Sequence, residues 1–95
     1  MNEEQRDNML QMLKTDLGIR TNAYDERLGK YLESGEKFIK EEGAALDFTD
    51  IQDMQLCVMY AAWMWRKRDN MERMPRMLRY QLNNRIFSRK MAGDG

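Results

Sequence analysis

The chain contains no histidine and one cysteine, Cys57. Without histidine it lacks the side chain most often used as a general base near neutral pH, and the commonest metal ligand. A lone cysteine excludes an internal disulfide and fits a reducing cytosol, and nothing at the N-terminus has the pattern of a secretory signal. There is one proline, Pro75, and no block of alternating β-branched residues, so sheet is not expected. The longest uncharged run, Met54–Trp65, is 12 residues, and a membrane helix takes about 20, so no membrane span is expected. Net charge is also absent, with 16 basic and 16 acidic side chains. No glycine-rich phosphate loop occurs. Asp47, Asp50 and Asp53 have a spacing that suits a cation, yet the central glycine and distal glutamate of a calcium loop are missing. Cys57 lies in the most apolar segment and reads as an inert buried thiol. The paired acids Asp25-Glu26 and Glu41-Glu42 fall at helix ends, where dipole and solvent account for them. The expectation is a chain with no catalytic residues, no cofactor and no metal.

What remains is a helical protein of 95 residues, 42% hydrophobic and 34% charged, enough for one domain with a modest core. Its ten methionines are adaptable packing groups. Helix one is expected over Glu3–Leu17, capped by Asn2 and stopped at Gly18, with a short stripe of Met9 or Leu10, Leu13 and Leu17 that makes it peripheral. Ile19 falls where it can pack back on Leu13. Helix two, the longest stripe, places Tyr24, Leu28, Tyr31, Leu32, Phe38 and Ile39 on one face, opening at Thr21 or Asn22 and closing at Gly43. Gly35 on that face leaves room for a second backbone. The outer face carries Glu26–Lys30, Glu33–Lys37 and Glu36–Lys40 in the favourable i, i+4 order.

Helix three is expected to open with a capping box, Thr49-Asp50-Ile51-Gln52. Ile51, Met54, Val58, Ala61 and Trp65 trace one stripe, and Leu56, Met59, Tyr60 and Trp63 make the other side apolar as well. A helix hydrophobic all round must be buried all round, and three short partners hardly suffice, so Leu56, Met59 and Trp63 are candidates for an oligomer face. Arg66–Met74 reads as a helix end and loop. Helix four starts at Pro75 and runs to about Met91. Leu78, Leu82 and Ile86 cluster on one of its faces; Met77, Tyr80, Phe87 and Met91 cluster nearly opposite. One stripe serves the chain's own core and leaves the other for a partner. The architecture expected is all-α, a single domain of about four helices over residues 1–95: a core over 3–68 with a long second and buried third helix, and a projecting C-terminal contact helix over 75–91.

Charge is distributed unevenly. Residues 1–65 hold 7 basic and 13 acidic side chains, net −6, whereas residues 66–91 hold 9 basic and 2 acidic, net +7. Three readings are open: phosphate contact by a basic tail, head-to-tail assembly of the basic end on the acidic body of a neighbour, and a merely solvated helix. Arginine interleaved with apolar stripes favours a protein contact.

Leu13-Lys-Thr-Asp16 with Leu17-Gly-Ile19, then Tyr24-Asp-Glu-Arg-Leu28, Tyr31-Leu32, Lys37-Phe38-Ile39 and Glu42-Gly43, resemble the front half of tailed-phage head–tail connector proteins. The Met54–Trp65 helix ending in Arg66-Lys67-Arg68 fits that family, as does the closing Met74-Pro75-Arg-Met-Leu78-Arg-Tyr80-Gln-Leu82-Asn83-Asn84-Arg-Ile86-Phe87. The likeness spans roughly residues 9–91, and the Met-Pro-x-x-Leu…Leu-Asn-Asn stretch is its most specific part. Members often carry a more acidic loop before helix two, of which only Asp25-Glu26 is present here. The resemblance implies a non-enzymatic structural protein of a phage or prophage, made in the bacterial cytoplasm and located at the virion neck. It would form a ring, commonly of twelve subunits, beneath the portal, joining it to the next neck component around a channel for double-stranded DNA. The isolated subunit need not assemble, because the preceding part often triggers assembly. Carried over by position, the contact residues toward portal or neighbouring subunit are Arg76, Met77, Arg79, Tyr80, Arg85, Phe87 and Arg89. Two other functions fit the residues: a small DNA-binding protein using helix four for recognition, and a generic helical homodimer scaffold.

Overall fold

A computed structural model describes residues 1–70 and 73–94, with side chains over 1–68 and 73–87. Four helices follow one another: α1 (Glu3–Leu17), α2 (Asp25–Glu41), α3 (Ile51–Asn70) and α4 (Arg76–Asp94), and no strand occurs among the described residues. The all-helical class expected from the periodicity is what the chain builds.

Local chemistry sets the boundaries. The Asn2 side chain accepts from the Gln5 N–H at 2.7 Å and the Gln5 side chain accepts from the Asn2 N–H at 3.0 Å, a reciprocal cap on α1. Gly18 stops α1 in the left-handed region, φ 70°, and the Ile19 N–H reaches back to the Lys14 carbonyl at 2.9 Å. α2 starts later than expected, after Tyr24. Thr21 instead accepts from the Ala23 N–H, and the Asn22 side chain accepts from Lys14 Nζ at 2.9 Å. Lys14 Nζ also meets Asp25 Oδ1 at 2.9 Å, which ties the end of α1 to the start of α2.

The cap of α3 differs from the expected box. Asp50, not Thr49, accepts from the Gln52 N–H (2.9 Å), while the Thr49 hydroxyl donates to Asp47 at 2.6 Å. α3 ends at Asn70, within the Arg66–Met74 stretch expected to hold a helix end and loop. Lys67 Nζ lies 4.5 Å over the Trp63 ring and Arg68 Cζ 3.6 Å over Trp65, so the cations cover aromatic faces one turn back and carry the helix onward. Pro75 stands just outside α4, its carbonyl accepting from the Arg79 N–H (3.1 Å), and the helix extends past Met91 to Asp94.

α3 runs through the middle, with α1, α2 and α4 all packed on it. Met9, Leu13, Leu28, Leu32, Ile39, Cys57, Ala61 and Leu82 have no exposed surface. Two of these belong to α1, whose short apolar stripe packs on both α2 and α3 while its polar remainder stays exposed, as a peripheral helix should. The tightest approach is at Gly35. A Cβ there would sit 3.0 Å from Tyr60 Cδ1, 3.3 Å from Cys57 Sγ and 3.4 Å from the Cys57 carbonyl oxygen. Phe38 stacks on Tyr60 beside it, ring centroids 5.0 Å apart. The whole measures 46 × 31 × 18 Å, and 18 Å is under two helix diameters. Three helices do not enclose α3 fully: Met54, Met59, Trp63, Met64 and Trp65 are half-buried and Ile51 exposed.

Gly35→Val should destabilise the fold by about 2 kcal/mol, the scale of overpacking a filled core. Gly29→Ala should be neutral or slightly stabilising, because its added methyl meets only the flexible end of Arg6 and helix propensity improves. Urea midpoints of the two variants check this pair.

Candidate interaction surface on the C-terminal helix

The two stripes of α4 separate as a core face and a free face. Leu78 (1% exposed) and Leu82 (0%) face α3, and Ile86 packs against the same cluster. Met77, Tyr80 and Phe87 are 65%, 70% and 65% exposed, the most open large apolar side chains of the described residues.

An ion pair fixes this orientation. Asp53, in the first turn of α3, has no exposed surface. Its Oδ2 accepts from the Asp47 N–H at 2.7 Å, and its Oδ1 lies 2.6 Å from Arg85 Nε. A second guanidinium nitrogen of Arg85 donates to Asp50 Oδ2 at 2.8 Å. The two aspartates raise the Arg85 pKa, chiefly through the hydrogen bond to Asp53. Arg85 was expected among the partner contacts; it is instead an internal clamp that holds α4 on the start of α3. The same contacts show what Asp47, Asp50 and Asp53 do: they organise the α3 cap and hold a guanidinium. Among the described residues no group of three acidic or thiol side chains is placed to hold a metal ion.

The remaining candidates sort by exposure. Arg76, Met77, Tyr80 and Phe87 are open. Arg79 is half-exposed and meets Glu42 at 3.2 Å, a surface pair beside the end of α2. The side chain of Arg89 lies outside the described residues. Leu56, expected on an oligomer face, is 2% exposed and belongs to the chain's own core, because α4 covers it. Met59 and Trp63 are half-buried. Met59 opens into a groove of about 490 Å³ between α1, α3 and α4, lined also by Gln11, Met12, Asp16, Val58 and Gln81. Sequence periodicity gives no sign of this groove, which needs three helices to exist.

Cys57 is set apart from any of this. Its Sγ donates to the Leu32 carbonyl at 3.2 Å. Burial, with Glu36 nearby, pushes the thiol up to about 12. No described helix is long and apolar enough to cross a membrane. Comparison of the chain with family models, with curated proteins and with solved structures finds no match.

Two predictions follow from these groups. Arg85→Met should cost about 3–5 kcal/mol by leaving Asp53 buried without its cation, and adding Asp53→Leu should recover much of the loss; a double-mutant cycle in urea measures both. Native Cys57 should resist maleimide at pH 8 and react on unfolding. Its folded pKa is raised, so its contribution is intact below the unfolded value near 9 and falls as pH rises, by about 1.4 kcal/mol per unit until about 12. Comparing the stability of the wild type and Cys57→Ala between pH 8 and 10 isolates that slope.

Proposed function

We propose that this chain is a structural adaptor of the tailed-phage neck, a subunit of a ring that joins the portal to the next neck component around double-stranded DNA. The observation that carries the reading is the free stripe of α4: Met77, Tyr80 and Phe87 lie open on a helix whose other stripe is already packed. A helix that leaves three large apolar side chains outside, flanked by Arg76 and Arg79, is built for a protein contact. The connector-like Met74–Phe87 stretch contains this surface and supplies the particular function. The recognition-helix reading is weaker on the same observation. Arg85 is engaged with Asp50 and Asp53, and Arg79 with Glu42, so two of the three α4 arginines with described side chains are committed within the chain.

Deleting α4 is a poor test, since Leu78, Leu82 and Arg85 are part of the fold. Tyr80→Asp with Phe87→Asp is a better one, because both side chains are exposed. Light scattering from about 10 µM to 1 mM, at low and high salt, should find wild-type assemblies of ten or more subunits with an open centre in electron micrographs. The double variant should remain monomeric with an unchanged helical signal. A salt-insensitive two-fold dimer would overturn the ring in favour of a scaffold. Tight duplex binding with a steep salt slope would overturn it in favour of the DNA reading.

A further inference from the structure

We infer that the free stripe of α4 docks in the groove between α1, α3 and α4 of a second copy of this chain, head to tail. The inference deepens the adaptor reading, and rests on it for the ring that such a contact would build.

The two surfaces complement each other in shape. One is convex: Met77, Tyr80 and Phe87 stand out along the outer side of α4. The other is concave, with Met12, Val58 and Met59 in a groove of about 490 Å³. A cavity of about 150 Å³ accepts one benzene ring, so the groove has room for both aromatic rings of the stripe.

They complement each other in charge as well. Arg76 accompanies the stripe, with Arg79, paired to Glu42, beside it. Asp16 lines the groove, and helical spacing continues the Gln11 wall of α1 through the exposed Asp7 and Glu4. This is the local form of the contrast between an acidic body and a basic end.

The same charges disfavour the simplest alternative. A parallel two-fold contact of stripe on stripe would bring the arginines of both copies together, and like charges across an interface cost affinity. Stripe into groove instead pairs unlike surfaces, a convex one with Arg76 beside it and a concave one with Asp16 in its wall. Such a contact is heterologous: each subunit uses one surface forward and the other backward, so it repeats until it closes.

The test uses two exposed positions, one on each surface. A Gln11→Cys chain and a chain with Asn84→Cys, an exposed polar position beside the stripe, are prepared separately, mixed at about 1 mM, where contacts tighter than millimolar are populated, and treated with a flexible bismaleimide. Buried Cys57, its thiol pushed up to about 12, stays silent. The mixture should yield a cross-linked dimer joined through positions 11 and 84 that neither chain gives alone, and its yield should fall with added salt and with Asp7→Lys in the Gln11→Cys chain. Efficient cross-linking of the Asn84→Cys chain by itself would overturn the inference, since it reports the stripe-on-stripe dimer. So would a mixture with no dimer above background. Rings in the electron microscope without this cross-link would leave the adaptor reading standing and the groove refuted. The cross-link in open filaments or short oligomers would do the reverse.

Discussion

The pair between Arg85 and Asp53 is the interaction on which the outward face of this protein depends. Asp53 has no exposed surface, and a carboxylate without water needs a cation and donors. It finds them in the Asp47 N–H, from the loop before α3, and in Arg85, from α4. This contact breaks a tie. Both stripes of α4 are apolar, and hydrophobic burial by itself, which is non-directional, does little to choose between them. With Arg85 held against the start of α3, the helix is turned so that Leu78 and Leu82 go inward and Met77, Tyr80 and Phe87 go outward. The ion pair thus specifies which surface the chain presents, whatever its net contribution to stability.

A second constraint lies deeper. Gly35 lets α2 approach α3 until Cys57 meets both the Leu32 carbonyl and the glycine backbone. That closeness keeps the molecule thin, and thinness leaves the tryptophan edges of α3 partly open. Lys67 and Arg68 then cover ring faces that other helices do not reach. The end of α3 is thus held in part by its own side chains one turn back, with Tyr24 at the start of α2 edge-on to Trp65 at 5.2 Å.

These relations explain what could be read from the sequence. Local rules gave α1 its limits, through Asn2 and Gly18, because capping acts within a few residues. Periodicity gave the α2 stripe, the close approach at Gly35 and the two stripes of α4. It did not say which α4 stripe turns inward, because that depends on a pairing across more than thirty residues. Arg85 looked like an exposed contact residue for the same reason: on a helical wheel an arginine reads as surface, and only the buried Asp53 makes it interior. Leu56 was misplaced because α4 was treated as projecting, whereas it covers Leu56. Lys14 has no sequence signature at all as a buried bridge. The α3 cap moved by one residue because Asp47 takes the Thr49 hydroxyl and leaves Asp50 as the available acceptor.

The internal engagements also change the meaning of the charge asymmetry. Residues 66–91 are net +7 by count, but that count overstates the field a partner meets. Arg85 is neutralised by two aspartates and Arg79 faces Glu42. Of the described arginines on α4, Arg76 is the one with no such engagement in the core or with α2. A surface of this kind does not hold a partner by charge alone. Its electrostatics select orientation, favouring an acidic face over another basic helix. The holding falls to Met77, Tyr80 and Phe87, whose burial is worth roughly 1.5–3 kcal/mol for each side chain fully covered. Three such residues make a weak contact between two subunits. In the ring we propose, each subunit would make that contact twice, so the same modest surface would be silent in dilute solution and firm once a neighbour is in place.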